Sequence, residues 1–80
     1  MNNFYNIYII RISDFKAIKL QGENLNRTDT DNCIMQTESR LNTDDYFVTD
    51  YLVGSLRDIE CMKNIKSRRS KVDDKLIFSR

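Results

Sequence analysis

The first third of the chain contains a dense apolar run followed by an alternating one. The run Phe4–Ile12 is rich in Ile and Tyr and carries apolar residues at both its odd and its even positions. A strand with one solvated face would alternate between apolar and polar residues, so this run predicts a central strand that is covered on both faces. Ser13 and Asp14 can turn the chain, and Phe15–Gln21 then alternates as a second strand. The turn-forming residues Gly22–Asn24 are expected to end this strand.

Apolar residues later in the chain recur at helical spacing and occupy roughly half of a helical wheel. Asn42 or Thr43 can cap such a helix, and the two aspartates that follow would lie in its first turn, where the helix dipole favours negative charge. The pattern predicts one amphipathic helix of about 20 residues or more that ends within Ser67–Ser70. Gly54 falls inside it and has two explanations, close packing against a neighbour or a break in the helix. The apolar positions of this pattern are Phe47, Val48, Tyr51, Leu52, Leu56, Ile59, Met62 and Ile65.

The remaining segments are shorter and carry weaker patterns. Asn24–Asn32 is polar and predicts a loop, Cys33–Thr37 is a candidate third strand, and Leu76–Phe78 is a candidate final strand. Together the segments predict one small α+β domain over residues 1–80, in the order β-β-(β)-α-β. Its fold would be a small antiparallel or mixed sheet of about three to four strands packed on one long amphipathic helix.

A single helix can cover only one face of a sheet, which would leave the second face of Phe4–Ile12 exposed. Burying an apolar side chain stabilises a fold by about 1.5–3 kcal/mol, so an uncovered apolar face would be costly. Two arrangements would cover it. A partner, either a second copy of the chain or a target protein, could dock there, or the segment Asn24–Asn42 could fold across the face. The residue pattern leaves both arrangements open.

Composition excludes several classes of function. The chain of 80 residues contains no histidine and only two glycines. Histidine-based acid–base catalysis and histidine metal sites are therefore excluded, and two isolated glycines cannot build a phosphate-binding loop. Asp14-x-Lys16 and Asp73-x-Lys75 match part of a metal-dependent nuclease site, but so short a match arises by chance in most chains. We expect a protein that is not an enzyme and that binds no metal and no cofactor.

Cysteine usage and amino-acid composition suggest a compartment and a source. Cys33 and Cys61 form no Cys-x-x-Cys pair. A short secreted chain that relied on disulfides would usually carry more cysteines, so both are expected to be reduced thiols in a cytoplasmic protein, with a single bridge as the alternative. No apolar run approaches the roughly 18 residues that would span a membrane. Abundant Asn and Ile with scarce Ala, Gly and Pro are typical of AT-rich coding, as in a phage, another virus or an AT-rich bacterium. For a viral protein the compartment would be the host cytoplasm.

The formal net charge of +1 conceals an uneven distribution of charge. Residues 21–50 contain two basic and seven acidic residues, whereas residues 51–80 contain eight basic and four acidic ones. An acidic stretch beside aromatic side chains is a common composition of protein interfaces, and it can steer a basic partner into contact. The candidate partner-binding residues are Asp44, Asp45, Tyr46, Asp50 and Tyr51.

These features favour a non-enzymatic protein-binding module that acts by steric occupation of a partner surface, as a phage or viral inhibitor of host machinery would. The alternative is a small nucleic-acid-binding protein whose basic tract contacts phosphates. No aromatic side chain is interleaved with that tract, and cations also gather at helix C-termini because the helix dipole favours them there. The candidate nucleic-acid-binding residues are Lys63, Lys66, Arg68, Arg69 and Lys71.

Overall fold

Within residues 3–68 and 71–78, which the computed structural model describes, three antiparallel strands and three helices form the fold. The strands pair in the order β2-β1-β3. A three-stranded antiparallel sheet packed against helices confirms the predicted α+β class. In chain order the elements are β1 (Tyr5–Arg11), β2 (Lys16–Leu25), α1 (Arg27–Glu38), β3 (Tyr46–Leu52), α2 (Leu56–Ser67) and α3 (Asp74–Ile77).

β1 is the central strand of the sheet and is buried on both sides. Ile7, Tyr8 and Ile9 are 0% exposed. Tyr8 packs in a cluster with Cys61 of α2, whereas Ile9 packs in a separate cluster with Ile77 of α3. Successive side chains of a strand point to opposite faces, so these two clusters cover the two faces of β1. The prediction made from the dense apolar run is confirmed.

A tight turn joins β1 to β2, as Ser13 and Asp14 predicted. β2 has ten residues where β1 has seven, and the register of their pairing shifts three times. One shift lies near Asn24, which has a φ of 59° and whose N–H donates a hydrogen bond of 2.8 Å to the Asn6 side chain. The segment Gly22–Asn24 therefore lies within β2 and does not end it, because the left-handed Asn24 and the Asn6 amide accommodate the extra residue.

Residues that were predicted as a loop, Asn24–Asn32, and as a third strand, Cys33–Thr37, contribute most of α1. Those two predictions are wrong. The side chain of Asn26 caps the helix by accepting a hydrogen bond of 2.8 Å from a backbone N–H of its first turn. The side chains that α1 buries are Thr30 and Thr37. Because neither is apolar, the helix carries little of the apolar periodicity that reveals helices in a sequence.

The predicted long helix is also wrong, since its first half is the strand β3 and only its second half is helical, as α2. Gly54, with a φ of 86°, separates the two, and Ser55 caps α2. Apart from Gly54 and its two chain neighbours, no atom of the described residues lies within 4 Å of the place that a Cβ on Gly54 would occupy, so this glycine marks a break and not a close contact. β3 pairs with β1 along its whole length. Its aromatic and β-branched side chains suit a strand as well as they fit a helical wheel.

The C-terminal segment Leu76–Phe78 is not the strand that its apolar residues predicted. It belongs largely to the short helix α3, which begins after Asp73, whose side chain accepts a hydrogen bond of 2.9 Å from the N–H of Lys75. Ile77 is buried, and its carbonyl accepts a hydrogen bond of 2.8 Å from the N–H of Asn42. The segment therefore closes the core beside the sheet and does not extend the sheet edge.

Helices cover both faces of the sheet. α2 lies on the face that carries Tyr8. α1 lies on the other face, where the Arg27 guanidinium is 4.6 Å from the centre of the Tyr5 ring, and α3 packs beside Ile9 on that same face. The segment 24–42 thus folds across the second face, as the internal arrangement required. Within the described residues, β1 offers no uncovered face to a partner.

Candidate functional site

The five residues predicted to bind a partner do not form one patch. Asp44 and Asp45 are exposed in the turn before β3, but Tyr46 is buried. Asp50 and Tyr51 lie further along β3, and as neighbours in a strand they point to opposite faces of the sheet. Only the two exposed aspartates remain together as a surface feature.

Asp50 and Tyr51 take part in the packing of the helices on the sheet. The Asp50 carboxylate lies 3.2 Å from the guanidinium of Arg27, which also pairs with Asp31 of α1 at 2.7 Å. The Tyr51 ring lies 6.4 Å from the Tyr8 ring, centre to centre, beneath α2. These contacts give both side chains a structural role.

The exposed aspartates lie beside the tip of the β1–β2 hairpin. The N–H of Ile12 donates a hydrogen bond of 2.9 Å to the carbonyl of Asp45, which joins the hairpin turn to the turn before β3. Two large apolar side chains, Ile12 and Phe15, are exposed at this tip. We call this region the hairpin-end surface, and its residues are Ile12, Phe15, Asp44, Asp45 and Phe47.

Phe15 is the unusual residue of the hairpin-end surface. It has a φ of 56° and its side chain is 72% exposed. Its N–H donates a hydrogen bond of 2.7 Å to the carbonyl of Arg11, which closes the turn. Its ring contacts the Phe47 ring edge to face, with the ring centres 6.2 Å apart. A bulky residue in the left-handed region is a genuine outlier, since glycine or asparagine is usual there.

An ion pair fixes the shape of the turn. The Arg11 guanidinium lies 2.7 Å from the Asp14 carboxylate, and the N–H of Lys16 donates to the same carboxylate at 3.2 Å. The hydrogen bond from Arg11 lowers the pKa of Asp14 to about 2. Asp14 is therefore ionised at neutral pH and holds both ends of the turn that presents Phe15.

Sequence reasoning missed Phe15 because the residue looked like the start of an apolar strand. A short polar turn followed by a residue that must adopt a positive φ is a frequent hairpin connection, and that position normally holds glycine. An aromatic residue at such a position is the signal that could have identified it.

The basic tract divides into two parts in the structure. Lys63 and Lys66 are exposed on α2, whereas Arg68 and Lys71 line a cavity beside β2. Arg69 lies outside the described residues. The tract therefore does not present the described cations as one row on a single helix.

A buried carboxylate, Asp58, lies at the start of α2 and is only 6% exposed. It accepts hydrogen bonds of 2.6 Å from the Tyr8 hydroxyl, 2.8 Å from the Asn6 amide and 2.9 Å from the N–H of Gly54. Burial opposes its ionisation, but these hydrogen bonds outweigh burial and lower the pKa of the carboxyl. Burial and the bond to Asp58 raise the pKa of Tyr8. Because the cluster is buried, a substrate cannot reach it, and its hydrogen bonds join α2 to β1.

The groups needed for metal or thiol chemistry do not converge in the described part of the chain. No group of three or more Cys, Asp or Glu side chains there could hold a metal ion. Asp14 pairs with Arg11 and Asp73 caps α3, so the carboxylates of both short nuclease-like matches have structural partners. Cys33 and Cys61 are free thiols on helices that lie on opposite faces of the sheet.

The described helices are all too short or too polar to cross a membrane. The hairpin-end surface combines an exposed aromatic side chain at a positive φ with two exposed aspartates. No family model matches the chain, and no curated protein or solved structure is significantly similar to it.

Proposed function

We propose that the protein is a non-enzymatic protein-binding module that acts by steric occupation of a partner surface, and that its hairpin-end surface makes the contact. The observation that carries this proposal is the conformation of Phe15, a large apolar side chain that is 72% exposed at a positive φ. A left-handed conformation costs a residue with a side chain about 1–2 kcal/mol. Glycine or asparagine at this position would avoid the cost.

The strain at Phe15 is explained if the ring is needed outside the fold. Strained backbone tends to persist at functional sites, where the surrounding structure enforces it. Here the Arg11–Asp14 ion pair and the closing hydrogen bond of the turn enforce it. Aromatic side chains are enriched among the few residues that dominate binding energy at interfaces. Phe15 has the exposure and the rigid support of such an anchor.

The two aspartates of the hairpin-end surface indicate the chemistry of the partner. Asp44 and Asp45 are exposed, and neither belongs to an ion pair within residues 3–68 and 71–78. The partner would therefore offer an apolar pocket for the Phe15 ring, bordered by lysine or arginine side chains. Complementary charges of this kind accelerate association and select the correct partner.

The biological setting that we propose is the cytoplasm, and the host cytoplasm if the protein comes from a phage or another virus. Two free thiols on opposite faces of the sheet support a reducing compartment. An inhibitor of host machinery would need only a rigid surface and no chemistry of its own, which fits a domain whose described part brings together no three Cys, Asp or Glu side chains that could hold a metal ion.

The test uses a photo-crosslinking amino acid at position 15, with the exposed Met35 of α1 as the matched control position. A protein that crosslinks only from position 15 is then purified, and its affinity for the native chain is measured. We expect Phe15→Asn and the pair Asp44→Lys/Asp45→Lys each to weaken binding at least about tenfold. Glu23→Lys, a charge reversal at the far end of β2, should leave affinity unchanged. Unchanged affinity in both test variants would reject this surface.

Nucleic-acid binding through Lys63–Lys71 remains the alternative function. Phosphate contacts are strongly salt dependent, so labelled DNA and RNA should be titrated at low and moderate salt. Binding at about 50 mM salt that falls steeply as salt rises would favour the alternative, and its absence would remove it.

A further inference from the structure

A cavity of about 370 Å³ lies on the side of the molecule formed by β2, the end of α2 and the segment before α3. Pockets for small ligands have volumes of about 300–1,000 Å³, so this cavity can hold a small molecule. It is separate from the hairpin-end surface, since none of the residues of that surface lines it.

Most of the cavity wall is apolar, and cations stand among the apolar residues. The apolar lining residues are Ile18, Leu20, Ile65, Val72 and Ile77. The charged lining residues are Lys19, Arg68, Lys71 and Asp74. Small-molecule sites combine an apolar wall with a few polar groups that orient the ligand, and this lining has that composition.

The charges of the lining do not cancel. The ammonium of Lys19 lies 3.1 and 3.2 Å from the two carboxylate oxygens of Asp74, so these two side chains neutralise each other. The Lys19 ammonium also lies 5.4 Å from the centre of the Phe78 ring, which holds it on that side. Arg68 and Lys71 belong to none of the ion pairs among the described residues. They leave two positive charges beside an apolar wall.

We propose that this cavity binds a small anionic amphiphile, a molecule with one apolar body and one carboxylate or phosphate group. The apolar body would lie against the isoleucine, leucine and valine side chains, and the anionic group would bind Arg68 and Lys71. A guanidinium matches both carboxylate and phosphate through paired hydrogen bonds, and an ammonium adds a second charge.

A nucleic acid fits these residues less well than an amphiphile does. A phosphate backbone needs a row of accessible cations, but the two remaining described cations of the basic tract, Lys63 and Lys66, lie outside the cavity lining. A phosphate backbone would also leave the apolar wall without a partner. The cavity therefore selects a ligand that has both an anion and a hydrocarbon or aromatic body.

The first experiment measures binding of four decyl compounds to the full chain by calorimetry, below the concentrations at which they form micelles. The compounds are decanoate, decyl phosphate, decanol and decyltrimethylammonium. We expect at least one of the two anions to bind with one-to-one stoichiometry, and the neutral and cationic compounds to bind at least about tenfold more weakly. The preferred anion identifies the head group. Failure of both anions to bind, or equal binding of decanol, would overturn the proposal.

The second experiment compares two variants that remove the same charge from the same tract. Arg68→Gln/Lys71→Gln should weaken the binding of the preferred anion at least about tenfold. Lys63→Gln/Lys66→Gln should retain the affinity of the native chain within about twofold, because these side chains lie outside the cavity lining. An equal loss in both variants would indicate nonspecific attraction and reject the site. All four substitutions replace exposed or half-exposed side chains, and thermal unfolding checks that each variant is folded.

The proposal is independent of the hairpin-end surface. Phe15→Asn should bind the amphiphile like the native chain, while it loses the protein partner. If the amphiphile instead binds at the hairpin end, Phe15→Asn will lose it and Arg68→Gln/Lys71→Gln will not, which would contradict the assignment to this cavity.

Discussion

The hydroxyl of Tyr8 donates a hydrogen bond of 2.6 Å to the carboxylate of Asp58, and this bond joins the centre of the sheet to the first turn of α2. Both residues are buried. Among the described residues, the donors to this carboxylate are the neutral Tyr8 hydroxyl, the Asn6 amide and the N–H of Gly54. A buried charge without such donors would be strongly destabilising, so each donor is expected to matter.

Tyr8→Phe should lower the free energy of unfolding by about 1–3 kcal/mol, because it leaves the ring in place and removes one donor to a buried carboxylate. Urea denaturation at pH 7 measures the change. Tyr51→Phe is the matched control, since Tyr51 is half-buried and lies on the same face of the sheet. The control should change stability by less than about 0.5 kcal/mol. Equal effects of the two variants would contradict the role assigned to the Tyr8 hydroxyl.

Stability should fall in acid partly through Asp58, whose pKa lies below its ordinary value in the folded protein. A carboxyl with a lowered pKa contributes stability that is fully present above its unfolded pKa of about 3.9. That contribution is lost as the pH falls through the lower, folded pKa. Asp58→Asn should therefore destabilise the protein by about 1–3 kcal/mol at pH 7 and show a smaller further loss on acidification than the native chain. Denaturation at pH 7 and pH 3 measures the loss of stability on acidification for the native chain and for Asp58→Asn. Identical losses would exclude Asp58 as a source of acid sensitivity.

Gly54→Ala should be destabilising although there is space for the methyl group. The φ of 86° at Gly54 is in the left-handed region, where a Cβ costs about 1–2 kcal/mol. Gly54→Asn should lower stability less than Gly54→Ala does, since asparagine adopts the left-handed region more readily. Both variants keep the N–H that donates to Asp58. Thermal unfolding of the two variants tests the order, and a smaller loss for alanine than for asparagine would contradict backbone strain as the cause.

Gly22→Ala should be destabilising for a different reason, the lack of space between β2 and α1. A Cβ on Gly22 would lie 2.9 Å from Leu25 Cδ1, 3.2 Å from Ile7 Cδ1 and 3.3 Å from the Cys33 sulphur. Overpacking of this kind costs about 1–3 kcal/mol. In the double variant Gly22→Ala/Leu25→Val, the nearest of these atoms is removed. Its loss of stability, measured in urea, should be smaller than the sum of the two single losses, and simple additivity would argue against the clash.

Phe15→Asn should leave stability unchanged within about 1 kcal/mol while it weakens partner binding at least about tenfold. The substitution loses the edge-to-face contact with Phe47, worth about 0.5–1.5 kcal/mol, but it relieves a left-handed strain of similar size. Phe47→Ala removes the same ring contact without relieving the backbone strain at Phe15, and should lower the free energy of unfolding by at least about 1 kcal/mol. A large destabilisation by Phe15→Asn would mean that the ring serves the fold and not a partner.

The central strand and the hairpin could be predicted because their signals are local and unambiguous. Phe4–Ile12 has apolar residues on both faces, and Ser13 and Asp14 are strong turn formers. α1 could not be found in the same way, because the side chains that it buries, Thr30 and Thr37, are not apolar and give no apolar periodicity. The cap at Asn26 was the available signal, and it is a weak one without periodicity to support it.

β3 and α2 were predicted as one helix because their apolar residues happen to continue a single helical period. Pairing in the sheet favours the strand, since β3 gains its hydrogen bonds from β1, far away in the sequence. Gly54 and Ser55 did mark the boundary, as a break followed by a cap. At the candidate site, Asp44 and Asp45 could be predicted from charge. Phe15 was missed, because an aromatic residue after a turn also suits the first position of a strand, and only its position in the hairpin connection indicated a positive φ.

The order of the strands in the sheet affects the risk that the chain aggregates while it is being synthesised. β2 follows β1 directly in the sequence, whereas the other neighbour of β1, β3, begins only at Tyr46, and α2 follows β3. A ribosome adds about 5–20 residues per second. One edge of β1 is therefore unpaired, and its apolar side chains are uncovered, for roughly a few seconds before β3 and α2 have been synthesised. An open apolar edge is a template for strands of other nascent chains. The yield of folded protein should therefore depend on how fast translation proceeds from β1 to α2, and chains stalled before Leu56 should aggregate first.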